Sequence, residues 1–261
     1  MVPIIKTTKK GFVSYSNEIM KLAGPLIISQ VAIIGISVTD IYMAGQLDSE
    51  TLAAVQLSIS IWNILSLAVV GLMVANSPII GGFWGSSEYE KVRSQFQQCC
   101  WLAFPISILI IIAILIGIYG LNSLSISERV AKIATGYLVP YFITALVFPL
   151  FLVFRTTFEG MGNTKPILIF NCIAFGINAV LDYILVFGKL GAPSLGGIGA
   201  AWATTVAYIF LLIAMIFYAK LSKKATRLNL YYKFEKPSMP LIRGTLNLGI
   251  PISLTLLAEF G

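Results

Sequence analysis

Two aspartates, Asp40 and Asp182, stand inside stretches of chain composed for lipid. Asp40 lies in LIISQVAIIGISVTDIYMAG and Asp182 in ILIFNCIAFGINAVLDYILVF. A carboxylate at the centre of a bilayer costs roughly 2.5–3.5 kcal/mol on insertion scales. An acid kept there is by default a site for an ion, a proton or a cationic ligand. Asp40 has a blander alternative, an interfacial acid facing headgroups, because its apolar run ends soon after it, at Gly45. Asn171, Asn178 and Asp182 follow one another at spacings of seven and four, which puts them on one helical face. One buried asparagine is ordinary interhelical glue. Three polar groups on one stripe, one of them acidic, offer more. An amide carbonyl and a carboxylate supply hard oxygen ligands for Na⁺, and the same pair can share a proton.

Other polar residues in apolar context follow the same logic. Pro25, in the same run as Asp40, removes a backbone donor; it either lets the helix bend or marks its entry turn. Gln30 and Thr39 add polar atoms to that run. A later run opens with Gly196, Gly197, Ile198, Gly199, Ala200 and Ala201, small residues that permit close helix contact. Thr204 and Thr205 follow; each hydroxyl either serves the Asp182 site or bonds back to its own helix. Arg155 and Glu159 are four apart, an ion pair at the membrane edge or part of a gate. Glu259 lies in apolar context near the last residue, and its partners are not evident in this sequence.

The elements that carry these residues are transmembrane helices. The chain has 261 residues, 57% hydrophobic and only 11% charged, with a mean hydropathy of +0.89. Soluble domains run at about 25% charged. The apolar runs exceed ~18 residues and lack strict alternation, so they read as spanning helices rather than barrel strands. There is no histidine, which excludes imidazole catalysis and imidazole metal binding. Cys99, Cys100 and Cys172 have no metal-ligand spacing and read as small core residues. With no Ser/His/Asp set and no metal motif, an enzyme is not expected. No signal peptide is evident, because the first apolar run is too long and lacks a clean cleavage site.

Six complete spans are expected at about 22–45, 52–80, 94–118, 132–155, 167–187 and 197–219. They follow a tail over 1–21 and precede a basic linker over 220–244 that holds Lys220, Lys223, Lys224, Arg227, Lys233, Lys236 and Arg243. Of the 18 Lys and Arg residues, all but Arg129, Lys132 and Lys189 fall on one side of this topology. The positive-inside rule then places the N-terminus in the cytoplasm of a cell (inner) membrane. Topology thus accounts for the net charge of +7, and no nucleic-acid partner is expected. A seventh apolar segment over 245–261 reads as too short to span, the start of a truncated helix. Leu22-Ala23-Gly24-Pro25-Leu26 is echoed by Leu248-Gly249-Ile250-Pro251-Ile252, which suggests two similar six-helix halves.

Three stretches resemble the multidrug and toxic compound extrusion (MATE) transporters. They are LAGPLIISQ with DIYMAGQL, RTTFEGMGNTKP, and GINAVLDYILVFGKLGAPSLGGIGAAWATT. The resemblance implies an all-α integral membrane fold of twelve helices in two pseudo-symmetric lobes. This chain would supply the six-helix N-lobe and part of the seventh helix. It implies efflux of cationic or amphipathic organic compounds in exchange for H⁺ or Na⁺, with no other cofactor. The partners would be organic cations or drugs, the bilayer, and the missing C-lobe of the same polypeptide. Asp40 matches the family's first-helix acid and Pro25 its bending proline. Asn178 and Asp182 match the N-lobe cation pair, and Thr204 its sixth-helix threonine. Glu259 resembles a seventh-helix acid of the sodium-coupled branch, a second possible cation site. A family asparagine near the end of the fourth helix is replaced by Arg155 or Thr156. The alternative function is a lipid-linked oligosaccharide flippase of the same superfamily. Such a protein needs a cavity rich in Arg and Lys, whereas these spans hold few internal cations.

Overall fold

Length and hydropathy dictate an all-helical membrane bundle, and the computed structural model is one. It describes residues 12–123, 126–222, 228, 230–231 and 234–260. Residues 1–11 of the N-terminal tail lie outside the described residues, as do Lys223, Lys224, Arg227 and Lys233 of the basic linker. Nine helices are present among the described residues: α1 (Phe12–Gly45), α2 (Ser49–Val74), α3 (Asn76–Gly85), α4 (Tyr89–Ser123), α5 (Glu128–Leu138), α6 (Tyr141–Gly160), α7 (Lys165–Phe187), α8 (Gly197–Leu221) and α9 (Met239–Phe260). Among the described residues, seven stretches are long and apolar enough to cross a membrane.

Two of the expected spans are broken, and proline is the reason in both. The second span divides at Ala75, between α2 and α3. Pro78 lies in the first turn of α3, where its missing N–H costs little inside α3 but ends the bonding register of α2. The fourth span divides at Val139–Pro140. Pro140 cannot donate to the preceding turn, and the chain tightens there: Phe142 N–H donates to Val139 C=O at 3.1 Å and Ile143 N–H to Pro140 C=O at 3.0 Å. α1, by contrast, runs through Pro25 as one helix. The seventh segment also differs from the sequence reading. Its helix begins at Met239 rather than Thr245 and has 22 residues, enough to cross. Pro240 and Arg243, next to the basic linker, hide its first turn in the sequence.

Caps and loop charges tie one end of the bundle. Asp48 caps α2 by accepting from Thr51 N–H at 2.8 Å, and that bond is the main cause holding its carboxyl below the usual range. Arg129 reaches from the start of α5 to Asp48 at 2.9 Å and Glu50 at 3.0 Å. At the opposite end, described parts of the linker lie against α4. Gln97 donates to Leu230 C=O at 3.0 Å and accepts from Glu235 N–H at 2.9 Å. Gln98 donates to Lys236 C=O at 3.1 Å and accepts from Ser238 N–H at 2.6 Å. Each amide thus satisfies backbone groups that would otherwise be stranded.

α6 is the central helix, packed among α2, α3, α4 and α8. α4 turns a row such as Ile108, Ile112 and Leu115 outward, as a lipid-facing surface requires. Lipid is as apolar as these side chains, so contact between helices depends on close packing rather than on expelling water. Gly199 shows how close. A Cβ there would lie 2.7 Å from the Leu185 carbonyl carbon, so α8 meets the backbone of α7 directly. α7 ends at Gly188, whose φ of 67° is left-handed; a Cβ there would meet Ser194 at 2.8–3.0 Å, so the turn into the α7–α8 loop demands glycine.

The α7–α8 contact sets the position of Asn178 against Thr204, so its disruption has a readable cost. Gly199→Ala is expected to lower the melting temperature of the purified protein, by a destabilisation of about 1–3 kcal/mol. Gly176→Ala, on α7 with nothing within 4 Å of the added methyl, should leave it unchanged or raise it slightly. Equal melting of the two variants would mean that α7 and α8 do not touch backbone to backbone.

Candidate functional site

Asp40 and Asp182 lie five residues before the ends of α1 and α7, about 7.5 Å of helix from the same end of the bundle. α7 packs against both α1 and α8, so the three helices form one wall. α5 completes the pocket from the other side. Asp40 is 1% exposed and Asp182, Asn178 and Thr204 are 0%, 0% and 3% exposed. The structure therefore rejects the interfacial alternative for Asp40.

The Asp40 carboxylate is held by three donors from three other helices. Tyr137 Oη donates to Oδ2 at 2.6 Å from α5. Thr204 Oγ1 donates from α8, at 3.0 Å from Oδ2 and 3.3 Å from Oδ1. Asn178 Nδ2 donates from α7 to Oδ1 at 3.4 Å and to Thr204 Oγ1 at 3.1 Å. The threonine hydroxyl accepts from the amide while giving its own proton to the carboxylate, which lets the three groups form a connected network.

Asp182 has no such support. Neither of its oxygens accepts a hydrogen bond from a donor group, and Asn178 Oδ1 beside it is equally unsatisfied. Asp182 is near enough to Asp40 for the two carboxyl groups to interact. Neither carboxyl has a Lys or Arg ion partner among the described residues. Orphaned buried acceptors are rare and expensive. Three of them, one turn apart on α7 and beside a second carboxyl, form a hard-oxygen pocket that a proton or one small monovalent cation would satisfy. No cluster of three or more His, Cys, Asp or Glu residues exists among the described residues, so the pocket lacks the ligand set of a zinc or calcium centre.

The other sequence candidates separate from this group. Asn171 is buried, but its amide donates to Ser29 Oγ and fastens α7 to α1 nearer the other end. Thr205 bonds back to Ala201 C=O at 2.8 Å and meets Thr144 Oγ1 at 3.0 Å, so it braces α8 rather than joining the pocket. Thr39 bonds back to Gly35 C=O at 2.9 Å. Glu259 is exposed near the end of α9, a helix that packs chiefly on α2, and the structure does not bring it to Asp40 or Asp182. Pro25 stands four turns from Asp40 along α1. Arg155 and Glu159 do pair, Nε to Oε1 at 2.8 Å.

Tyr137 is the site residue that sequence reasoning missed. It is 97 positions from Asp40, and only its place one residue-triplet before Pro140, at a helix break, marked it. It also opens a row of packed rings. Tyr137 stacks on Tyr141 at 5.5 Å, Tyr141 meets Trp62 edge-on at 4.7 Å, Trp62 meets Phe148 at 5.4 Å, and Phe148 meets Tyr208 at 5.3 Å. Trp62, Phe148 and Tyr208 line a cavity of about 700 Å³ among α1, α2, α6, α8 and α9. Its wall is mostly apolar, with Gln30, Ser37, Asn63, Ser66 and Arg155 as polar points.

Comparison with known proteins agrees with this architecture. The family described as MatE matches residues 25–184. The chain is 32% identical over 248 residues to multidrug resistance protein NorM of Aliivibrio fischeri, which covers 94% of this chain and 54% of that protein. It is 30% identical over 244 residues to NorM of Vibrio cholerae, covering 94% and 53%. The chain thus spans about half the length of the curated relatives it matches. Among solved structures, an outward-facing multidrug resistance MATE family transporter of the MOP superfamily superposes with a TM-score of 0.82 at 23% identity, covering 92% of this chain and 52% of the other. A eukaryotic MATE transporter superposes with a TM-score of 0.79 at 21% identity, covering 96% and 55%. At those identities the structures report the fold.

The strain at Asp182 predicts a trade between stability and binding. Asp182→Asn replaces an unpartnered buried carboxyl by a neutral group of the same shape. Purified in sodium-free buffer at alkaline pH, this variant should melt above the wild type. Its melting temperature should no longer rise on adding Na⁺ or acid. A variant that melts below the wild type and keeps the cation response would show that Asp182 already has a partner.

Proposed function

The chain belongs to the MatE family, and from that premise we propose that it forms the first lobe of a secondary active exporter of organic compounds. In this reading cationic or amphipathic compounds leave in exchange for H⁺ or Na⁺. The buried, uncompensated carboxyl pair of Asp40 and Asp182 carries the reading. Seven stretches among the described residues that are long and apolar enough to span support a multi-pass membrane protein. The distribution of Lys and Arg supports a cytoplasmic N-terminus in the inner membrane, with the linker over 220–244 on the same side. The other half of the relatives' length would supply a second lobe facing the cavity.

Each residue then has a task. Asp182 and Asn178 offer oxygen to the entering cation or proton, and Asp40 shares its charge. Tyr137, Thr204 and the Asn178 amide hold Asp40 in a fixed orientation and must change their bonding when that charge is neutralised. The row of rings from Tyr137 to Trp62 brings such a change to the cavity wall. Pro25 leaves α1 short of one backbone bond, which gives the helix that carries Asp40 a point where it can bend. Coupling requires only that ion and exported compound favour different conformations. The apolar, aromatic wall suits loose selectivity among flat molecules. The residues convey binding and movement rather than covalent chemistry, in keeping with a transporter instead of an enzyme. A flippase for a lipid-linked oligosaccharide would need several cations to hold a pyrophosphate, and Arg155 is the one charged residue among those lining the cavity. Glu259 has no proposed part in the Asp40 site.

Asp40→Asn and Asp182→Asn in the full-length protein should each abolish drug resistance in cells that lack other efflux pumps, while membrane expression stays at the wild-type level. Tyr137→Phe should reduce resistance without abolishing it, because Thr204 and Asn178 still hold Asp40. Resistance unchanged in both aspartate variants would remove the basis of the proposal.

A further inference from the structure

We propose that Arg155 makes the cavity selective for flat amphipathic compounds that carry a carboxylate. The inference rests on the export reading above and narrows it. Arg155 lies on α6, one turn beyond Phe151, and it is the one charged residue among those lining the cavity. Glu159, one turn further along, fixes its fork: Nε donates to Oε1 at 2.8 Å, and Nη2 donates to Gln30 Oε1 across the gap to α1 at 3.4 Å. A guanidinium has five N–H donors, more than these two partners take. The side chain is 18% exposed and lines the cavity.

This geometry favours one chemical class. A carboxylate can meet the guanidinium edge with two parallel charge-assisted hydrogen bonds. Because Glu159 already orients the fork, little side-chain freedom is lost when the ligand arrives. Phe148, Phe151 and Tyr208 stand beside Arg155 and give a flat ring system faces and edges to pack on. A permanent cation with no carboxylate meets the positive charge of Arg155 in the same space and has only the rings to hold it. Glu159 acts in the opposite sense. It shares the guanidinium with any bound carboxylate, so it keeps such ligands releasable and weakens their binding.

The opposed roles of Arg155 and Glu159 allow a test with two signs. A rhodamine with a free carboxylate and the methyl ester of the same dye differ only in the group at issue. Binding of each to the purified full-length protein is measured by fluorescence anisotropy, and export by dye efflux from proteoliposomes. Arg155→Gln should weaken the carboxylate dye by about tenfold or more and leave the ester unchanged. Arg155→Lys should fall between, having charge without the fork. Glu159→Gln should strengthen the carboxylate dye. The double variant, which leaves no unpaired charge, should match Arg155→Gln and controls for misfolding. Loss of both dyes in equal measure, or no change in either, would overturn the proposal while export of the dyes by the wild type still stands. Wild-type protein that binds neither dye would overturn the export reading, and this inference with it.

Discussion

A buried carboxyl pair without a counter-charge is the constraint around which this molecule is arranged. Asp40 is satisfied by a hydroxyl, a phenol and an amide drawn from three other helices. Asp182, close beside it, has only the other carboxyl as a neighbour to interact with. Such an arrangement is costly in any dry environment and more so in a bilayer. It persists because α1, α7 and α8 are packed too closely to let either acid turn toward water. Gly199 lets α8 meet the backbone of α7 at Leu185, and the break at Val139–Pro140 sets α5 apart from α6, with Tyr137 on Asp40.

A strained polar pocket and an amphipathic cavity at some distance from it are the two ends of the proposed exchange. The rings between them form a continuous packed row. Packed aromatic groups do not deform smoothly; they shift between alternative arrangements. Neutralising Asp40 frees Tyr137 from its strongest bond, and Tyr137 stacks directly on Tyr141. In the proposed cycle this is how one small charge near one end of the bundle alters a cavity built for much larger molecules.

Much of this was legible in the sequence, for a simple reason. In an apolar helix every polar residue is conspicuous, so Asp40, Asn178, Asp182 and Thr204 stood out individually. The repeat of four between Asn178 and Asp182 placed those two together. What sequence could not show was which polar residues share a pocket. Asn171 lies on the same stripe as Asn178 yet bonds to Ser29, and Thr205 lies next to Thr204 yet faces Thr144. Tyr137 escaped notice because tyrosine is common at membrane interfaces and its partner is distant in the chain. Continuous hydropathy concealed the breaks at Ala75 and Val139–Pro140, since the prolines that cause them lie within unbroken apolar runs. The reverse error occurred at α9, where a first turn holding Pro240 and Arg243 beside the basic segment read as linker. Arg155 read as a membrane-edge ion pair; the pair exists, but its other face lines the cavity.

The central claim is that Asp40 and Asp182 act as one site for a single positive charge. The direct measurement is the stoichiometry of uptake by the full-length protein in lipid nanodiscs, with radiolabelled Na⁺ binding and proton uptake recorded on the same sample. The account predicts that one charge per protein, Na⁺ or H⁺, is lost when either aspartate becomes asparagine, and that the double variant loses no more than each single one. Uptake that falls by half in each single variant and vanishes only in the double would show two independent acids and contradict it.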